Sequence, residues 1–149
     1  MKKAICIILL SGFAVTVKAQ TSIDSVKAVI NNLFKAMKTS DTVLLKTVFT
    51  DSAILQTINT RSGKVVVETD EVSAFIESIG KLPAGDADEQ VSFDVVKVDA
   101  DLAIAWTPYK FYYKGKFSHC GVNSFQLVRI NNVWKIQYLI DTRRRNNCD

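Results

Sequence analysis

Ile23, Val26, Ile30, Leu33, Phe34 and Met37 recur at steps of three and four. That stripe predicts one amphipathic helix over residues 22–38, which Thr21 or Ser22 can cap. Ser40-Asp41 starts a shorter helix with Val43, Leu44, Leu45 and Val48 on its apolar side. Ala53 to Asn59 reads as a strand, turned by Arg61-Ser62-Gly63 into a second strand, Lys64 to Glu68. Thr69 precedes a third helix carrying Val72, Phe75, Ile76 and Ile79, and Gly80 suits its left-handed cap. Residues 81–90, with Pro83, Gly85, Asp86, Asp88 and Glu89, read as a polar loop.

Beyond residue 90 the period changes to two. Val91 to Val98, Leu102 to Tyr113, Lys116 to Ile130 and Val133 to Thr142 read as four strands. Asp99-Ala100, Lys114-Gly115 and Asn131-Asn132 are the two-residue hairpin turns between them. Helices followed by a meander predict an α+β fold.

Short turns also fix a register. About Asn131-Asn132, Leu127 is expected to face Ile136, and Asn123 to face Ile140. About Lys114-Gly115, Ile104 faces Phe125, Trp106 faces Asn123, and Lys110 faces His119. About Asp99-Ala100, Val95 faces Ile104. Paired residues share a face. One face then carries Phe93, Ile104, Trp106, Phe125, Trp134, Ile136 and Tyr138, with His119 and Asn123 toward one end. An apolar face with polar groups gathered at one end predicts a ligand pocket beneath the helices. The opposite face receives Tyr109, Phe111, Ser118, Cys120, Val122, Gln126, Gln137 and Asp141. Its aromatic content suggests a homodimer interface. A bulge would invert part of this assignment and turn Asp141 inward.

The N-terminus reads as an export signal. Lys2-Lys3 precede an apolar run from Ala4 to Val17, and Val17-Lys18-Ala19 offers a cleavage site after Ala19. Residues 20–149 would then form a single domain of 130 residues, periplasmic or secreted. The signal holds three lysines and no acid, so the formal charge of +4 falls to 16 basic against 15 acidic residues. That balance argues against a nucleic-acid partner. No later apolar run is long enough for a membrane span. An oxidising compartment permits a disulfide between Cys120 and Cys148, with free thiols as the alternative.

Two helices, a third helix and a long curved meander resemble the cystatin-like cone of the nuclear transport factor 2 superfamily. The ending Asn132-Val133-Trp134-Lys135-Ile136, with Phe125-Gln126-Leu127-Val128 ahead of it, is similar to that superfamily's last strands. Gly115-Lys116-Phe117-Ser118-His119-Cys120-Gly121 and Asp141-Thr142-Arg143-Arg144 resemble small exported bacterial proteins labelled SnoaL-like or lumazine-binding. The resemblance spans nearly all of residues 22–145. It implies three helices across a curved, mainly antiparallel sheet, and either a pocket for a hydrophobic or heteroaromatic ligand or a pure assembly module. The superfamily also contains isomerases, dehydratases, polyketide cyclases and epoxide hydrolases. Its enzymes suggest an acid near the second helix, a place Asp41 would fill.

Three functional readings follow: a small-molecule binding protein, an isomerase- or dehydratase-type enzyme, and a dimeric interaction module. His119, the one histidine, is the candidate acid/base, because an unperturbed imidazole changes charge near working pH. Asp141 and Asp41 are the further catalytic candidates, against ion-pairing and capping roles. Trp106, Lys110, Tyr112, His119, Asn123 and Arg143 are the candidate ligand contacts. Arg143-Arg144-Arg145 is either a solvated tail or an anion-binding rim, because guanidinium grips carboxylate and phosphate in a planar fork. One histidine and two retained cysteines at this spacing predict no metal site. No glycine loop or dinucleotide fingerprint calls for a cofactor.

Overall fold

The computed structural model describes residues 13–60 and 63–148. The first twelve residues, which hold most of the expected signal, lie outside them. Helix α1 spans Phe13–Thr39 and α2 Thr42–Val48; strand β1 spans Phe49–Asn59 and β2 Val66–Asp70. Helix α3 (Val72–Gly80) follows. Then come β3 (Ala87–Val91), β4 (Val95–Asp99), β5 (Leu102–Tyr113), β6 (Lys116–Ile130) and β7 (Val133–Thr142). The seven strands form one sheet in the order β2-β1-β7-β6-β5-β3, with β4 also pairing with β5. β1 and β7 run parallel and every other pair is antiparallel. The fold is α+β, with three helices on a mixed, mostly antiparallel sheet.

α1 supplies the cover. Val26, Ile30, Leu33, Phe34 and Met37 are all buried, as one stripe of a 3.6-residue helix must be. Phe34 meets Phe125 of β6 edge to face, with centroids 6.2 Å apart, a favoured aromatic geometry. Asp41 caps α2 by accepting from the Leu44 amide at 2.9 Å. Gly80 adopts no left-handed conformation. It is the last residue of α3, and a Cβ there would stand 2.7 Å from Thr42 Cγ2. The missing side chain lets α3 end against the start of α2.

Three expectations need correction. Residues 81–90 are not all loop, because β3 begins at Ala87. The expected strand 91–98 is two strands, β3 and β4, which both pair with β5 on either side of residues 92–94. The third correction concerns register. The turns at Lys114-Gly115 and Asn131-Asn132 form as expected, with all four residues at positive φ, and the first hairpin turns one residue later, at Ala100-Asp101. Two bulges then intervene. Ser118 is an extra residue in β6 between Phe117 and His119. Gln137 is an extra residue in β7 between Ile136 and Tyr138. A bulge inserts one unpaired residue and exchanges the faces beyond it.

The consequences are large. Ala105, not Ile104, pairs with Phe125, and Thr107, not Trp106, pairs with Asn123. Ala103, Ala105, Thr107 and Tyr109 are buried beneath the helices, while Trp106 is 48% and Ile104 41% exposed on the other face. Lys110 pairs with Cys120 rather than His119, and is exposed. Past Gln137, Leu139 and Asp141 turn inward in place of Tyr138 and Ile140.

Cys120 and Cys148 are bonded, with Cα atoms 5.7 Å apart. Closing a loop over a separation of 28 residues contributes about 3 kcal/mol on a chain-entropy argument. Arg144 reinforces the clamp, exchanging both backbone hydrogen bonds with Cys120 at 2.9 and 2.8 Å.

Candidate functional site

A cavity of about 100 Å³ lies between α1 and the sheet. Leu33, Phe34 and Met37 from α1, with Phe49, Phe75 and Leu139, form its apolar walls. Its main polar groups come from five strands, β1, β3, β5, β6 and β7, with Arg143 just beyond β7, and fall into two linked sets.

The first set is Glu89 and Asn123. Asn123 is 3% exposed and donates its amide to Glu89 Oε1 at 2.8 Å. Glu89 is on the inner face of β3 in the alternation Ala87-x-Glu89-x-Val91. Burial disfavours its charge, and its pKa is pushed up to about 7 from 4.5. Of the smaller influences, the Asn123 hydrogen bond and Arg143 oppose that rise, and the nearby Asp141 charge adds to it. This carboxyl therefore changes charge near neutral pH while facing a largely apolar space.

The second set centres on Asp141, which is 8% exposed. Thr57 donates to its Oδ1 at 2.6 Å, and Arg143 Nε to its Oδ2 at 2.9 Å. The Tyr109 hydroxyl lies 3.0 Å from both Asp141 Oδ2 and the Thr142 carbonyl. Arg143 Nη2 donates to Thr57 Oγ1 at 2.9 Å and closes the ring of contacts. Burial, then repulsion from Asp141 and Glu89, holds the Tyr109 phenol far above its ordinary range. It stays a neutral donor. Burial works against the Arg143 charge, but its hydrogen bond to Asp141 and their attraction outweigh that effect.

The backbone explains why these groups meet. The parallel pairing of β1 with β7 sets Thr57 beside Asp141, and β6–β7 pairing sets Asn123 there as well. Gly121 makes the junction possible. A Cβ on it would lie 1.7 Å from the Thr142 carbonyl oxygen and 2.7 Å from Tyr109 Cε1, so any larger residue would displace the Tyr109 ring or the end of β7.

The sequence-predicted residues divide accordingly. His119, Asn123, Asp141 and Arg143 line the cavity. The His119 ring packs edge-on against Tyr109, at 5.7 Å, and against Phe111 at 5.1 Å, with Nδ1 3.0 Å from Ser118 Oγ. Asp141 does turn inward, to Thr57, Tyr109 and Arg143. Trp106 and Lys110 are on the opposite face of the sheet, and Tyr112 packs on Phe117 at 5.9 Å, away from the cavity. Asp41 stays at its cap outside it. Sequence reasoning missed Glu89, Thr57 and the inward side of Tyr109. The alternation of Ala87, Glu89 and Val91 was the available signal for the first of these.

No protein-family profile matches the chain, and no curated protein is similar to it in sequence. Solved structures are similar in shape. One is an NTF2-like protein of unknown function from Silicibacter pomeroyi, 17% identical, with a TM-score of 0.67 over 84% of this chain and 98% of that one. A cystatin-like-fold domain of unknown function from Nostoc punctiforme is also 17% identical, with a TM-score of 0.65 over 85% and 80%. A candidate dehydratase of the NTF2-like family from Streptomyces avermitilis is 15% identical, with a TM-score of 0.62 over 84% and 97%. At these identities the likeness concerns the fold: the chain has the cystatin-like, nuclear transport factor 2-like α+β fold.

Proposed function

We propose that this chain is an exported protein that binds a small organic molecule in the cavity beneath α1. The observation that carries this reading is the Glu89–Asn123 pair, at 2.8 Å, inside apolar walls. A few convergent polar groups in an apolar cavity are the usual makings of a ligand site. The volume of about 100 Å³ is smaller than the roughly 150 Å³ that accommodates benzene, so it suits a head smaller than benzene, such as a short chain or a five-membered ring. The paired cysteines support export, because such bonds persist in oxidising compartments.

The second reading is an enzyme of the isomerase or dehydratase type, favoured by a carboxyl that ionises near working pH. Glu89 would take a proton from a carbon beside a carbonyl. The second amide hydrogen of Asn123 and the Arg143 guanidinium would meet the developing enolate. His119 would shape the wall. Both readings meet in one NMR experiment with cyclopentanone. Binding shifts the Asn123 and Leu139 amides; proton transfer also speeds exchange of the ketone's α-hydrogens in D2O, and Glu89→Gln abolishes that gain. Shifts without faster exchange leave a binding protein. If neither cyclopentanone nor any other small-ring probe, neutral or anionic, shifts a cavity amide, the binding reading falls.

We further propose that two copies pair through the outer sheet face. Val95, Leu102, Ile104 and Trp106, all more than a third exposed, lie on neighbouring strands β4 and β5, and Val122, Val128 and Ile140 extend the patch across β6 and β7. An exposed face rich in large apolar side chains, interrupted here by Lys97, Ser124 and Gln126, marks an association surface, and a face meeting its own copy is the commonest closed solution. Sedimentation should give a dimer that Trp106→Lys with Ile104→Lys converts to a folded monomer. A monomeric wild type at high concentration would refute it.

A further inference from the structure

The cavity adjoins a second space at Arg143. This is an open groove of about 660 Å³, lined by Ser118, His119 and the tail residues 143–147. His119 and Arg143 line both spaces. Three consecutive arginines face the groove, and no carboxylate lines it among the described residues.

Their donors are unequally committed. Arg143 gives Nε to Asp141 and one Nη2 hydrogen to Thr57, so Asp141 offsets much of its charge. Arg144 gives Nε to the Asn147 carbonyl at 2.9 Å and keeps the rest of its fork. Arg145 makes no hydrogen bond or ion pair among the described residues. A guanidinium carries five donors in a fixed plane, so the groove holds an excess of unspent donors of one sign. The tail bearing them is also fixed in place. The Cys120–Cys148 bond and the two Cys120–Arg144 backbone hydrogen bonds hold it against β6. A freely solvated tail needs neither restraint, whereas a preorganised cationic rim benefits from both.

We infer that the ligand of this site is an organic anion, with a small, mostly apolar head in the cavity and a carboxylate or phosphate arm in the groove lined by Arg143, Arg144 and Arg145. The inference rests on the cavity's being a ligand site and specifies what class of molecule fills it. Charge-assisted forks to carboxylate or phosphate are the strong form of hydrogen bond, and their strength here falls on Arg144 and Arg145.

The test uses the full, oxidised protein and three probes sharing one head: cyclopentylacetate, its neutral isostere cyclopentylacetamide, and cyclopentylmethyl phosphate. Amide shifts in NMR titrations report cavity and groove separately. The expected result is that at least one charged probe binds about tenfold tighter than the amide, shifting the cavity and the tail together. Raised salt weakens that preference, and Arg144→Gln with Arg145→Gln erases it; both side chains are exposed, and an unchanged amide spectrum elsewhere verifies the variant's fold. Whichever charged probe binds tighter identifies the arm as planar or tetrahedral. Equal binding of acid and amide with cavity shifts overturns the anion inference and leaves the cavity reading standing. Charged probes that shift only tail amides overturn it too, since the groove would then be a separate anion site. If no probe, cyclopentanone included, shifts a cavity amide, the binding reading fails first and this one with it.

Discussion

Replacing Asp141 with alanine is expected to cost about 3 kcal/mol of stability, since three hydrogen bonds to a nearly buried carboxylate are lost at about 1 kcal/mol each. Asp141 is 8% exposed and accepts from three side chains, Thr57 on β1, Tyr109 on β5 and Arg143 just past β7. Its loss strands Tyr109 with the Thr142 carbonyl alone and leaves the Arg143 charge without its carboxylate. It also removes the polar tie across the parallel β1–β7 pair, where Thr57 sits beside Asp141. Asp141→Asn keeps the shape and some acceptors, so it should cost less. Arg143→Gln should cost least, because that side chain is 45% exposed and its charge already reaches water. Urea denaturation of the three variants gives the order. A loss below about 1 kcal/mol for Asp141→Ala, the worth of an ordinary hydrogen bond, would mean that the cluster does not hold the end of β7.

The same residue shows how far the sequence could be read. The α1 stripe was legible because a 3.6-residue period has one buried solution, and Val26, Ile30, Leu33, Phe34 and Met37 all occupy it. Phe125, Leu127, Trp134 and Ile136 were legible because the β6–β7 register counts outward from Asn131-Asn132 and holds until Gln137. Nothing in Ser118 or Gln137 announces that either is the extra residue of a bulge, since both suit a regular strand. The assignments on β5 and on β7 past Gln137 were therefore inverted, while His119, Asn123 and Phe125 on β6 kept the inner face; this carried Trp106 and Lys110 out of the cavity and Tyr109 and Asp141 into it. The sizes along β5 held a partial warning. Large residues at 102, 104 and 106 alternate with Ala103, Ala105 and Thr107, and the register counted from the turns sets the large ones opposite Phe125 and Asn123. A sheet face closely covered by α1 takes the small set, and the large set is left to the opposite face. Glu89 was hidden by its neighbours: Asp86, Asp88 and Glu89 together read as a solvated loop, yet Asp88 faces out to Lys38 at 3.0 Å while Glu89 faces in.

The inward-facing Glu89 should make stability depend on pH with a definite sign. Its pKa is about 7 in the folded chain against 4.5 ordinarily. Between those values the folded state holds a proton that the unfolded chain has released, so stability falls as pH rises. The loss begins near the lower value, is complete just above the upper one, and amounts to about 3 kcal/mol. Other groups titrate in the same range, so the diagnostic quantity is wild type compared with Glu89→Gln. Glutamine can still accept from Asn123 but carries no charge to bury. The variant should match the wild type at low pH and exceed it in stability above pH 7, with the difference growing only through the window; parallel curves would sink the idea. Asp141→Asn provides an internal control, because removing that negative charge should lower the folded-state Glu89 pKa and draw the upper edge of the window toward acid. A site that accepts this loss of stability at neutral pH keeps an ionisable carboxyl where glutamine would fold better. That cost is what a ligand or proton-transfer role for Glu89 would require, and the same titration should then appear in the pH dependence of binding.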